Sequence, residues 1–219
     1  MSEDPIAEAH WDQMLTYFPQ HQVVLVNEDD RALGRGYSLP TAWSGIPAEL
    51  PDRGWDAALE TGVANYLAGH PNNVVSAIEI TLRPELRGQG LSRVILSAMK
   101  TAARAAGYQQ LIAPVRPTLK ARYPLTPMPE YITWTEADGS APFDPWLRVH
   151  WRAGASIARV APQSMTIPGS VAQWEHWTGM RFPASGRYAV PEALEPIEID
   201  RAADRGLYVE PNVWMVHPL

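Results

Sequence analysis

The stretch "ITLRPELRGQGLSRVILSAM", residues 80–99, sets two glycines one residue apart between an alternating apolar run and an amphipathic one. A strand turning tightly into a helix has this form, and the first amides of such a helix bind anions. Gly88 and Gly90 let the backbone approach an anion closely. Arg87 precedes them, and the amides of Gly88, Gly90, Leu91, Ser92 and Arg93 are expected to be free for it. Two nucleotide readings fail on chemistry. A Walker A loop needs Lys and then Ser or Thr after its last glycine, whereas Leu91 and Ser92 follow Gly90. A dinucleotide fingerprint needs a third small residue where Arg93 stands, and an acid about twenty residues on, where "GYQQLIA" (107–113) has none. A diphosphate of another kind fits the cradle that remains.

The elements around this loop form a coherent unit. "NVVSAIEITL" (73–82) alternates with Val74, Ile78, Ile80 and Leu82 in phase, which predicts a strand with Glu79 on the opposite face from Ile78 and Ile80. Leu91, Val94, Ile95, Ala98, Met99, Ala102 and Ala105 follow helical spacing, and Gly107 is placed to end that helix. "YQQLIAPV" (108–115) reads as a second buried strand. Strand, helix and strand make a βαβ unit with parallel strands and a right-handed crossover.

Before it, a helix over 6–18, a strand at 22–27 paired with 31–40, and a helix over 55–69 are expected. After it come a Pro- and aromatic-rich stretch at 116–142, a helix from 145 to Gly154, and a strand through "ASIARVAPQSMTI". A short helix at 170–180 and closing strands at 196–200 and 206–217 follow. Stretch 116–142 reads equally as a lid over a substrate or as an excursion packed on the core. Its Tyr123, Tyr131 and Trp134 suggest an aromatic acceptor pocket.

No composition break divides the 219 residues, which read as one elaborated α/β domain over 1–219. A net charge of −6 without a Lys/Arg block argues against nucleic acid as a partner. The absence of cysteine excludes disulfides, thiolate catalysis and Cys-ligated metals, and no metal is expected. The acidic start "MSEDPIAEAH" has no apolar signal core, and no run reaches the roughly 18 apolar residues of a membrane span. The expected location is the cytoplasm.

The sequence "RPELRGQGLS" after "AIEITL" resembles motif A of the GCN5-related N-acetyltransferases, whose core is Arg/Gln-x-x-Gly-x-Gly/Ala. Here that core reads Arg87, Gly88, Gln89, Gly90, Leu91, Ser92, with Ser92 where the family usually has Gly or Ala. The resemblance extends loosely over 20–160. It implies a mixed, mostly antiparallel sheet with a central parallel pair, 73–82 and 108–115, splayed around an acyl-CoA cleft, and helices on both faces. Backbone groups around Ile80 and Leu82 would pair with the pantetheine arm, and the pyrophosphate would sit on the amides of 88–93. The co-substrate would be acetyl-CoA or another acyl-CoA, and the acceptor a small molecule.

Acyl transfer to an amine needs a deprotonated nucleophile, a polarised carbonyl and a proton for the leaving thiolate. Glu79 is the candidate base, with an ordinary strand carboxylate as the plainer alternative. The family often protonates the leaving sulfur with a Tyr in the helix after the second cleft strand. "RVHWRAGAS" lacks it and offers His150 instead. A second resemblance, to GNAT-like loading domains of polyketide synthases, implies malonyl-CoA decarboxylation and acetyl transfer to a carrier protein. Those domains use a histidine and a threonine, here matched by His150 and Thr118, with Arg116, Arg152 or Arg159 as further contacts. A non-catalytic acyl-CoA-binding module is the third reading, and a homodimer is compatible with all three.

Overall fold

The computed structural model describes residues 3–219. Asp4 opens the first helix: its Oδ1 accepts from the amides of Ile6 at 2.8 Å and Ala7 at 3.0 Å, and Pro5 stands where no amide donor is needed. This helix, α1 (Pro5–Tyr17), ends before Pro19. Strands β1 (Val23–Val26) and β2 (Ala32–Thr41) form the expected hairpin. Helix α2 (Gly54–Ala68) stops where Gly69 turns left-handed at φ 67°. Strand β3 (Val74–Leu82), helix α3 (Leu91–Ala105) and strand β4 (Gln110–Val115) form the βαβ unit, with β3 and β4 parallel.

The remainder contains α4 (Met128–Tyr131), α5 (Pro145–Arg152), β5 (Ser156–Gly169), α6 (Val171–Thr178), β6 (Gly186–Tyr188), β7 (Ile197–Asp200) and β8 (Arg205–Pro218). The three-residue strand β6 was not expected, because nothing in its composition signals a strand.

The sheet runs β1-β2-β3-β4-β8-β7-β6, and β5 pairs along the other edge of β8. Every pairing is antiparallel except β3 with β4. One face is covered by α1 and α2, whose Met14, Trp55, Leu59 and Val63 pack on Leu39, Ile78, Ile112 and Trp214. The other is covered by α3, α5 and the 116–142 stretch, which pack on Val75, Ala77, Leu111 and Met215. A third cluster joins α6 to β7 and the start of β8. Helix α2 lies close on its neighbours: a Cβ on Gly62 would stand 2.6 Å from Leu39 Cδ1 and from the Pro40 carbonyl oxygen. Alanine there would cost about 1–3 kcal/mol by overpacking. Among the described residues no helix is long and apolar enough to cross a membrane.

Three local expectations change in the structure. In α3 the buried stripe is Ile95, Leu96, Met99 and Ala103, while Val94 is exposed, because the sheet meets the helix one position round from the expected line. In β3 the apolar residues do not share one face. The register with β2 shifts between Tyr37 and Ser38, leaving Ile78 as an extra residue between Ala77 and Glu79. Val74 and Ile78 consequently pack under α1 and α2, whereas Val75, Ala77, Ile80 and Leu82 pack under α3.

The third change concerns Tyr123, Tyr131 and Trp134, which pack on one another and on Phe143. Tyr131 is fully buried and its hydroxyl donates to Asp144 Oδ2 at 2.9 Å. Lys120, also fully buried, donates to the carbonyls of Tyr123 at 2.9 Å and Leu194 at 2.7 Å, tying this stretch to the C-terminal tail. The stretch is a packed excursion over the α3 face.

Candidate functional site

Strands β3 and β4 are paired at only two positions, Val75 with Leu111 and Ser76 with Ile112. Beyond them β3 follows β2 and β4 follows β8, so two strand edges part and leave backbone groups facing an opening. The extra residue Ile78 lies just past the last shared pair, and a bulge bends the strand that carries it. Its carbonyl accepts from Trp55 Nε1 at 3.0 Å. Ile80 and Leu82 follow on the half-buried arm of β3.

At the end of that arm the chain makes a short turn, Pro84–Leu86, and enters the glycine loop. Gly88 and Gly90 hold φ values of 79° and 77°, in the left-handed region that favours glycine. A Cβ at either position would meet nothing within 4 Å, so conformation and not crowding selects glycine here. Gly90 is the N-cap of α3 and no side chain caps the helix. Gln89 Nε2 donates to the Glu85 carbonyl at 3.2 Å and steadies the loop from within. Arg87 is exposed beside it. The amide of Arg93, expected to be free, donates to the Gly90 carbonyl at 3.1 Å as the first turn tightens. Among the described residues, the amides of Gly88 through Ser92 make no backbone bond outside the helix. An uncapped helix start and a cleft of unpaired strand edges suit the two chemically distinct parts of coenzyme A, its pyrophosphate and its amide-bearing arm.

Glu79 stands at the bulge. Its side chain shares a face with Thr81, whose hydroxyl donates to Glu79 Oε1, and with Arg35, whose Nε is 3.8 Å from that oxygen. The carboxylate is 19% exposed, so a small molecule can reach it. Tyr37 pairs directly across from Glu79, and Arg35 lies over its ring at 5.2 Å. Trp11 meets Tyr37 edge-on at 5.2 Å and stacks on Trp55 at 6.3 Å. This aromatic wall comes from α1, α2 and β2, not from the 116–142 stretch. Trp11, Tyr37 and Trp55 were not singled out in the sequence, where nothing brings three such distant positions together. Trp134 instead lines a groove of about 380 Å³ with Ile132, Trp151 and Ile157, and none of the glycine-loop residues nor Glu79 lines it.

The other sequence candidates lie elsewhere. His150 is buried in the last turn of α5, where its Nδ1 is 2.9 Å from His217 Nε2 and its ring meets Trp146 edge-on. Its Nε2 is buried without a hydrogen-bond partner. Burial, then the neighbouring His217 and Lys100, hold its pKa well below the usual 6.5, which favours neutral imidazole over a proton-donating imidazolium. His217 pairs with Leu111, at the start of β4 where the strands are still together. Thr118 is exposed on the loop leaving β4. The next residue, Leu119, donates to Asp144, the N-cap of α5, so Thr118 and His150 sit at opposite ends of that helix. Arg116 is held by both oxygens of Glu210 at 3.0 Å, Arg159 pairs with Asp52, and Arg152 is exposed.

No protein-family model matches the chain. It is 34% identical over 245 aligned positions to the arginine N-acetyltransferase avaD of Aspergillus versicolor, an alignment that covers all of this chain and 84% of that protein. The fold is also that of the loading GNATL domain of CurA from Lyngbya majuscula, at 21% identity and a TM-score of 0.58, with 94% of this chain and 80% of that one covered. The GphF GNAT-like decarboxylase, solved with isobutyryl-CoA, superimposes with a TM-score of 0.54 at 18% identity, covering 96% of this chain and 84% of that one. The chain belongs to the GCN5-related N-acetyltransferase superfamily. It is an acyl-CoA-dependent acyltransferase that acetylates an amine.

Proposed function

We propose that the acceptor is the amine of arginine or of a similar small cationic amine, with Glu79 as the base. The observation that carries this reading is the β3 bulge, which turns Glu79 toward α1 and α2 at the point where β3 and β4 part. An ammonium group arriving beside a carboxylate and an aromatic wall meets two features that attract cations. Glu79 takes its proton, and the amine nitrogen then bonds to the acetyl carbon as the carbon–sulfur bond breaks. The thiolate so released needs no dedicated acid: thiols of this kind ionise near about 8.5, so it leaves readily and takes up, through water, the second proton that the nitrogen sheds as the amide forms. His150 is given no part in this scheme. The relative's acceptor supports arginine as the first amine to try.

The test is product mass spectrometry after incubation with acetyl-CoA and, separately, arginine, agmatine, ornithine and lysine, alongside malonyl-CoA alone. Acetylated arginine or agmatine is the expected product. Conversion of malonyl-CoA to acetyl-CoA with every amine untouched would overturn the proposal in favour of the decarboxylating reading.

A further inference from the structure

The two arms of the cleft share only two ladder positions, yet a second connection joins them through the body of the protein. It begins at the bulge, where Ile78 accepts from the Trp55 indole at 3.0 Å. The amide of the same Trp55 donates to Ser164 Oγ at 2.8 Å. Ser164 donates in turn to Asn212 Oδ1 at 2.7 Å. Asn212 Nδ2 donates to Glu210 Oε1 at 3.2 Å and to the Pro211 carbonyl at 2.9 Å. Glu210 receives Arg116 Nε on both oxygens at 3.0 Å and the Tyr208 hydroxyl at 2.8 Å. Arg116 is the residue immediately after β4.

This chain has one arrangement. Glu210 and the Pro211 carbonyl can only accept, which turns Asn212 Nδ2 toward them and its Oδ1 toward the Ser164 hydroxyl. Ser164, Asn212 and Glu210 are each at most 2% exposed, so water does not compete for these groups, and Arg116 offsets the Glu210 charge. The close seat of α2 belongs to the same device. A Cβ on Gly54 would stand 2.3 Å from Ser164 Oγ, so glycine is what lets the first turn of α2 reach β5. That contact falls where β5 shifts register against β8, between Ala161 and Met165.

We infer that Trp55, Ser164 and Asn212 are positioning residues for acyl transfer, holding the Ile78–Glu79 peptide and the exit of β4 at a fixed spacing. A network serving stability alone has no need to end on both arms of the cleft; this one ends on the carbonyl preceding Glu79 and on the residue following β4. Because a peptide unit is planar, fixing the Ile78 carbonyl fixes the Glu79 amide and the direction from which its side chain leaves. The inference rests on the acyltransfer reading and on Glu79 as base.

Trp55→Phe tests it: phenylalanine keeps a ring against Trp11 and loses the indole donor, together with one fused ring of packing. Displacing Glu79 slightly should lower kcat about tenfold to a hundredfold. The dissociation constant for coenzyme A should stay within about threefold, because the glycine loop is untouched. Ser164→Ala should lower kcat in the same direction. Lys120→Met, buried on the far face, serves as the comparison: it lowers the melting temperature and keeps kcat at 25 °C. Hydrogen exchange over 78–82, measured without turnover, should quicken in Trp55→Phe and not in Lys120→Met. Unchanged kcat and unchanged exchange in Trp55→Phe would overturn the inference. A wild type that acetylates no amine, with exchange still quickened in Trp55→Phe, would count against the proposed acceptor and leave the bracing of the bulge standing.

Discussion

Asp4 Oδ2 and Asp56 Oδ1 are both buried without a hydrogen-bond partner, and the Asp4 charge is felt at Asp56. Burial first, and then Asp4, push the Asp56 carboxyl from 3.8 up to about 8, against the opposing pull of Arg53 and of the Thr166 amide. The fold therefore favours the neutral carboxyl of Asp56 well above the pH at which an exposed aspartate ionises. Glu60 adds to the upward shift.

A group whose pKa is raised on folding stabilises most below its unfolded value and loses that contribution as pH rises through its folded value. The loss here spans 3.8 to about 8 and amounts to several kcal/mol. The melting temperature should fall as pH rises through this window, and Asp56→Asn should flatten the fall. Melting curves at pH 5, 6.5 and 8 for both proteins check this; parallel pH profiles would refute it.

The opposite sign applies to the His150–His217 pair. Burial, followed by Lys100, lowers His217 from 6.5 to about 4, and both rings are neutral in the fold at pH 7. Their contribution is present above 6.5 and is lost as pH falls toward about 4. Unfolding free energies from urea titrations at pH 7 and pH 5 should differ by about 2 kcal/mol more in the wild type than in His217→Gln. His150→Gln should lower stability and leave the shape of the kcat pH profile unchanged.

Gly90→Val places a β-branched side chain at a φ of 77°. The strain of about 1–2 kcal/mol distorts the loop locally, since no atom lies within 4 Å to be displaced. Coenzyme A affinity should drop at least about tenfold, by isothermal titration, while far-ultraviolet circular dichroism stays that of the wild type. Retained affinity would show that the pyrophosphate is held elsewhere.

Glu79→Gln keeps the shape of the side chain and its reach to the Thr81 hydroxyl but cannot take a proton. Steady-state assay should give a kcat lower by about 10²–10⁴-fold with a modest change in KM for acetyl-CoA. A fall of less than about threefold would assign Glu79 to its Arg35 contact and not to proton transfer.

The glycine loop was legible because its signal is local. Gly88, Gly90 and the helix they open are set by backbone conformations that depend on a few adjacent residues. The same holds for the Gly69 and Gly107 stops and for the order of strands and helices through β5. Even there, the single residue inserted at Ile78 reversed which apolar side chains of β3 share a face with Glu79. A bulge is a property of two paired strands, and β3 alone carries no mark of it.

What only the tertiary structure decided is the company each chemical group keeps. His150 reads as an available acid in "RVHWRAGAS", and burial against His217, 67 positions away, makes it a neutral ring in a packed interior. Trp55 reads as one apolar residue at a helix start, until Ser164, 109 positions on, and Asn212 beyond it connect it to the exit of β4. Local sequence specifies conformation through dihedral preferences and neighbouring hydrogen bonds. Burial, and the pairing of polar groups that burial demands, arise only when distant segments exclude water together.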